Sequence, residues 1–156
     1  MISIDIPGRG AYELNNLVLD MNGTIAVDGI IPEGVLKKLQ DLSDNLNIYV
    51  ITADTYGKLE AQREKIAAKI ERVSPPGEAA QKADFIENLG PSSCIAIGNG
   101  SNDVGMLKKA RLAIAVIGSE GCSVDALQAA DIAVNSPMDA LELLANSKRI
   151  IATLRK

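Results

Sequence analysis

Short runs of aliphatic, largely β-branched residues alternate along this chain with segments of helical periodicity, and that alternation restricts the fold more than any other feature. The runs lie at 17–19, 48–51, 71–74, 94–97, 112–116 and 132–134. Between the first two, the segment 33–46 carries Val35, Leu36, Leu39, Leu42 and Leu46 at helical spacing. Pro32 stands just before it, where a helix start tolerates a residue without an N–H. Residues 57–70 read as a charged surface helix. Pro75-Pro76-Gly77 breaks the chain, and a helix resumes over 78–89. Another is expected from about 102 to 109, after Gly98-Asn99-Gly100, with further helices after each of the last two runs. Strands separated by helices form a parallel sheet with helices on both faces. The expected fold class is therefore α/β: a three-layer, Rossmann-like arrangement around a central, mostly parallel sheet. With 156 residues, one domain spanning 1–156 is the expectation. Residues 1–6 alternate like a strand, and 25–31 read as a β-hairpin around Asp28-Gly29, so small strand and hairpin additions are expected.

Composition narrows the chemistry. The chain is 47% apolar but only 3% aromatic, so its core must be built from Val, Ile, Leu and Ala, as suits a parallel sheet covered on both sides. It contains no histidine, which excludes Ser-His and Cys-His nucleophile systems and histidine-bound zinc. Cys94 and Cys122 lie far apart, in neither a redox nor a metal-ligand spacing, and read as reduced, buried thiols. A net charge of −4 with both signs interspersed argues against a nucleic-acid partner. No apolar run reaches the ~20 residues that span a bilayer, and the N-terminus lacks the pattern of a signal peptide. A cytoplasmic protein with no membrane partner is expected. Any catalysis must rest on carboxylates, lysine, hydroxyls, amides and a hard metal ion.

In parallel α/β sheets, ligands bind beyond the carboxyl ends of the strands. The polar residues that follow the runs are the ones to inspect. Asp20-Met21-Asn22-Gly23-Thr24 follows the first, Thr52-Ala53-Asp54-Thr55 the second, and Gly98-Asn99-Gly100-Ser101-Asn102-Asp103 the fourth; Lys82 lies early in a helix. A Gly-rich turn before a helix offers backbone N–H groups to an anion. Phosphoryl transfer needs an in-line nucleophile, positive charge around the phosphoryl oxygens and a metal that offsets carboxylate repulsion. Asp20 and Asp103 are candidate ligands for Mg²⁺, which prefers oxygen, and Asn99 adds a neutral amide oxygen. Lys82 is the candidate to neutralise Asp20 and the phosphoryl group, and Thr52 to donate its hydroxyl to a phosphate oxygen.

The segments LVLDMNGTIAVDG, VITADT, QKADFIENLG and AIGNGSNDVGMLKKA resemble, in order, the four motifs of the haloacid-dehalogenase-like (HAD-like) phosphohydrolases, with the core motifs inside 17–116. Within that superfamily the chain is most similar to small proteins resembling the phosphorylation domain of P-type ATPases. The resemblance implies a HAD-like fold and an aspartyl-phosphate formed at Asp20. It implies that Gly23, Thr24, Thr52, Ala53, Lys82 and Asn102 bind the phosphate, with Asn102 orienting the turn. It implies Mg²⁺ held by Asp20, the Asn22 backbone carbonyl, Asn99 and Asp103. Asp20, Asn22 and Lys82 stand at the catalytic positions.

Two departures from the superfamily pattern matter. Asn22 stands where such phosphatases usually carry the aspartate that protonates the leaving oxygen and activates water. A general acid–base contributes ~10²–10⁴-fold, so hydrolysis is expected to be slow. Asn99 replaces another aspartate and removes one negative charge from the metal site, so Mg²⁺ affinity should fall. The intervals between the motifs leave no room for a cap domain. By analogy with capless relatives, a neighbouring subunit in a homo-oligomer closes the site; an uncapped monomer would instead favour a large substrate such as a phosphoprotein. The alternative to a phosphatase acting on a phosphorylated small molecule or phosphoprotein is a non-catalytic relative that binds phosphate, nucleotide or a protein partner. A receiver-like phosphoacceptor is disfavoured, because there the accepting aspartate follows a later strand.

Other polar residues have plainer readings. Asp54 either forms a turn or reaches the metal through water, and Thr55 reads as a helix cap. Lys108 and Lys109 read as surface charges, Asp125 and Asp131 as helix or loop ends, and Met106 and Leu107 as core. Gly118-Ser119-Glu120-Gly121 reads as a turn at the pocket rim.

Overall fold

The computed structural model describes residues 1–53 and 57–156. The roles expected of Asp54 and Thr55 lie outside the described residues. An antiparallel hairpin, β1 (Ile2–Ile6) and β2 (Gly10–Leu14), precedes the main sheet. That sheet contains β3 (Asn16–Asp20), β4 (Asn47–Thr52), β5 (Lys69–Arg72), β6 (Cys94–Gly98), β7 (Leu112–Val116) and β8 (Ile132–Val134). Its order is β5-β4-β3-β6-β7-β8 and every pairing is parallel. The helices are α1 (Glu33–Leu42), α2 (Leu59–Gln62), α3 (Glu78–Leu89), α4 (Val104–Lys109), α5 (Val124–Ala129), α6 (Pro137–Ala145) and α7 (Ser147–Leu154). This is the expected three-layer α/β fold.

The three central strands, β3, β6 and β7, are buried along their whole length. Period-2 alternation then sorts their side chains between two cores. Leu17, Leu19, Ile95 and Ile97 face one core, shared with Leu39 of α1, Leu141 of α6 and Ile150 of α7. Val18, Cys94 and Ala96 face the other, shared with Ile86 of α3 and Met106 and Leu107 of α4. The parity of β3 places Asp20 on the same side as Val18, the side that α3 covers.

The chain runs outward from β3 to β5 on one side, then crosses back to β6 and runs outward to β8. The strand order therefore reverses between β3 and β6, and the crevice beyond their carboxyl ends is where such sheets bind ligands. Among the described residues, β3 and β4 are separated only by a short flap and α1. Between β4 and α3 lie α2, a 3₁₀ turn (Arg63–Lys65) and β5. Neither interval holds a cap domain. The flap carries the expected tight turn: Asp28 and Gly29 both have positive φ (50° and 79°), and Val27 bridges Ile30.

The local differences from expectation have physical causes. Residues 57–70 do not form one helix; they form α2, the 3₁₀ turn and part of β5. Helix α1 ends at Leu42 instead of 46, because the Ser43 hydroxyl donates to the Gln40 carbonyl and competes with further helical turns. Leu46 is buried all the same. The third strand of the sheet spans Lys69–Arg72, two residues before the expected run. Cys94 is buried as expected, whereas Cys122 is only half-buried; both thiols are free. Among the described residues, no helix is long and apolar enough to cross a membrane.

Candidate active site

A cleft of about 200 Å³ opens at the crossover between β3 and β6. Asp20 and Asn22 reach it from the end of β3, and Thr52 and Ala53 from the end of β4. Lys82 enters from α3, and Asn99, Gly100 and Asn102 from the turn after β6. Glu78, at the start of α3, completes the described lining. Asp103, Thr24 and Gly23 stand behind this surface.

Lys82 is central to the site. It belongs to the buried face of α3 with Ala83 and Ile86, and is 1% exposed. Its Nζ donates to Asp20 Oδ1 at 2.6 Å and to Asp103 Oδ1 at 2.7 Å. Both carboxylates are buried as well, at 7% and 0% exposure. One ammonium thus faces two carboxylates in a low-dielectric setting. Burial pushes the Asp20 carboxyl up to about 7; the Asp103 charge pushes the same way, against Lys82 and the Thr24 hydroxyl. For Lys82, burial acts to lower the pKa, but the two carboxylates outweigh it and the net shift is upward.

The second oxygen of Asp103 accepts from the backbone N–H groups of Asn99 (3.0 Å) and Gly100 (2.9 Å). Both Asp103 oxygens are therefore engaged by groups inside the protein. Gly98 permits this: a Cβ there would stand 2.7 Å from the Asp103 carboxylate. Asn102 Nδ2 reaches Glu78 Oε2 at 3.4 Å.

On the other side of Asp20 the oxygens crowd. Thr24 Oγ1 lies 2.9 Å from Asp20 Oδ2 and 3.0 Å from Asn99 Oδ1. A hydroxyl has one proton and cannot donate to both. Flipping the Asn99 amide does not help, because its Nδ2 donates to the Gly121 carbonyl at 3.0 Å. Three oxygens share one proton, an arrangement that suits either an additional proton on Asp20 or a hard cation. Asn22 Oδ1 is buried nearby with no hydrogen-bond partner among the described residues. The donor set is all oxygen and fits Mg²⁺ in chemistry. It contains a single carboxylate facing the crowded side, so the fit is that of a weak site. Among the described residues, no three acidic or thiol side chains converge as a metal cluster.

Gly23 has φ +77°, and a Cβ there would collide with Asn99 Nδ2 and stand 2.8 Å from Glu120 Oε2. It lets the loop after β3 close against the β6 turn. Glu120 Oε1 also accepts from the Asp28 N–H at 2.9 Å, so the turn at Gly118 and Gly121 borders the flap. Glu120 lies in the turn expected at the pocket rim, whereas Glu78 was absent from the sequence reading of the site. Glu78 had a signal: it precedes Lys82 by four residues, on the same helix face.

No family model matches the chain. It is 41% identical over 91 residues to the uncharacterized protein MJ0073 of Methanocaldococcus jannaschii, a match covering 56% of this chain and 98% of that protein. Among solved structures it is similar to 3-deoxy-D-manno-octulosonate 8-phosphate phosphatase from Yersinia pestis, with a TM-score of 0.70 at 14% identity, over 97% of this chain and 95% of that one. The same enzyme from Moraxella catarrhalis, in complex with magnesium, phosphate and its sugar, superposes with a TM-score of 0.67 at 17% identity, over 91% and 94% of the two chains. The chain belongs to one family with MJ0073, and its fold is that of the haloacid-dehalogenase-like hydrolases.

Proposed function

We propose that this chain is a slow, Mg²⁺-dependent phosphohydrolase that works through an aspartyl-phosphate at Asp20. The observation that carries this reading is the buried Lys82 ammonium held between Asp20 and Asp103 at the floor of a cleft at the sheet's crossover. A carboxylate there can attack phosphorus while Lys82 offsets charge on the phosphoryl oxygens. The Asp20–phosphorus bond forms as the ester P–O bond breaks, and the leaving oxyanion takes its proton from solvent water. Water then attacks phosphorus, phosphate departs and the Asp20 carboxylate is restored. Thr52 and the Gly100 region surround the phosphoryl group; Ala53 and Asn102 shape its rim.

Asp20, Asn99 and the Asn22 carbonyl are the proposed metal ligands, and bound Mg²⁺ would supply positive charge to the phosphoryl oxygens. Asp103 has a different role in this proposal from the one the motifs suggested. Fully buried outside the cleft lining and bonded to Lys82 and two backbone N–H groups, it positions the lysine and the turn, and in this proposal it does not touch the metal directly. Asn22 supplies no exchangeable proton, which favours esters with good leaving groups. The substrate class is a phosphomonoester, on a small molecule or on a protein. A second copy of the chain closing the cleft belongs to the same proposal, and Val27 and Ile30 of the flap give it apolar surface to cover. A reducing, cytoplasmic setting fits the two free thiols.

The test is hydrolysis of p-nitrophenyl phosphate with and without Mg²⁺. Slow turnover that is lost with chelator and lost in Asp20→Ala is expected. Turnover no greater than that of Asp20→Ala across a panel of esters would overturn the enzymatic reading and leave a phosphate-binding protein.

A further inference from the structure

Glu78 is the one acidic group in the described lining to which the proposed chemistry assigns no task. The titratable side chains there are Asp20, Lys82 and Glu78. Asp20 is the nucleophile, and Lys82 is fixed between two carboxylates. Glu78 is the first residue of α3, half-buried, and four residues before Lys82. Four residues return a helix to nearly the same face about 6 Å further along its axis. Lys82 sits at the floor, so Glu78 lies one turn nearer the mouth. Glu78 thus lines the way out for the ester substituent of a phosphoryl group held against Lys82.

The charge at that point is unexpected for a pocket that serves only anions. A helix N-terminus favours an anion, and here the protein supplies its own carboxylate. Among the described residues no cation pairs with it; its single hydrogen bond is the long one from Asn102 Nδ2. It does not complete a further metal cluster either, since no such group exists among the described residues. An unneutralised carboxylate beside a phosphate dianion repels most phosphomonoesters. The repulsion becomes attraction if the substituent itself carries positive charge.

We propose that Glu78 selects the alcohol part of the substrate, favouring phosphomonoesters that carry an ammonium group close to the phosphate. This deepens the phosphohydrolase reading and rests on it. Discrimination here combines attraction to one substituent with repulsion of the others.

The test is calorimetric binding in the presence of Mg²⁺, using Asp20→Asn protein, which cannot turn substrate over. The probes are phosphoethanolamine and ethyl phosphate, with inorganic phosphate reporting on the pocket itself. Phosphoethanolamine should bind roughly fivefold more tightly than ethyl phosphate, the scale of a partly exposed ion pair. Adding Glu78→Gln should erase the preference, weakening the amine ester and strengthening ethyl phosphate. Equal affinities, or a preference that survives Glu78→Gln, would overturn the assignment. So would a Glu78→Gln protein, with Asp20 intact, that loses turnover equally for all esters together with one limb of its pH profile; that outcome makes Glu78 an acid–base group. Turnover of p-nitrophenyl phosphate without an amine preference removes only the role of Glu78. No turnover, with phosphate still bound and the preference intact, removes only the catalytic reading.

Discussion

Asn22 places an amide where proton transfer would help most, and its Oδ1 is buried without a partner among the described residues. An aspartate in its place would meet the same lack of donors, with the Asp20 charge close by. Both effects favour the protonated carboxyl, the form that can donate to a leaving oxygen. Asn22→Asp should therefore raise kcat for alkyl phosphates by roughly a hundredfold, the low end of general acid–base catalysis. The gain for p-nitrophenyl phosphate, whose leaving group needs no proton, should be smaller. Steady-state kinetics on the two esters checks this, and an unchanged or lower alkyl rate would count against the missing-acid argument. Much of the site at this scale was readable beforehand. Asp20, Thr52, Asn99 and Asn102 follow strand ends, and strand ends converge in a parallel sheet. The inward turn of both Asp103 oxygens was not readable, because it depends on the close approach that Gly98 allows. The proton shortage around Thr24 also needed coordinates, since it arises between residues 75 positions apart.

Among the elements, the central strands and α3 were readable because their signals are local and redundant. Continuous aliphatic runs mark strands buried on both faces, and α3 begins directly after the Pro75-Pro76-Gly77 break. The segment 57–70 misled for an equally physical reason. Leu59, Ile66 and Ile70 are seven and four residues apart, as on one face of a helix. In the fold they serve three different elements: Leu59 anchors α2, Ile66 fills the core from a loop, and Ile70 belongs to β5. Strand β5 is a charged edge, Lys69-Ile70-Glu71-Arg72, which discourages pairing with another chain and also hides its strand pattern. The short α2 still matters, because it holds the flap. Gln62 Nε2 donates to the Gly29 carbonyl at 2.7 Å, and its Oε1 accepts from the Ile31 N–H at 2.8 Å. Gln62→Ala leaves the N–H of buried Ile31 without that acceptor, at a cost of about 1–3 kcal/mol. Hydrogen exchange should show the Ile31 amide losing protection while the amides of β3 keep theirs. Equal loss in both would mean the flap and sheet open together.

Across the whole molecule, one ammonium joins β3, α3 and the turn after β6, and it faces two carboxylates. The folded state must therefore hold a proton on Asp20, bind a cation or bear the repulsion. Because the Asp20 carboxyl is raised to about 7 in the folded protein from its ordinary 3.8, the folded state binds a proton between those values that the unfolded state has released. The contribution of Asp20 to stability is thus full below about pH 4, falls as pH rises through 7 and is flat beyond. A cation at the crowded oxygens competes with that proton and substitutes for it. Metal-free protein should show a urea midpoint that declines from pH 5 to pH 8, and excess Mg²⁺ should raise the midpoint more at pH 8 than at pH 5. Asp20→Asn should flatten the decline, since Lys82 then faces one carboxylate and the pair is neutral. Persistence of the slope in Asp20→Asn would mean that other groups carry it. A flat profile in the wild type would mean that Asp20 stays ionised in the metal-free fold, with Lys82 and the surrounding hydrogen bonds offsetting the repulsion between the two carboxylates.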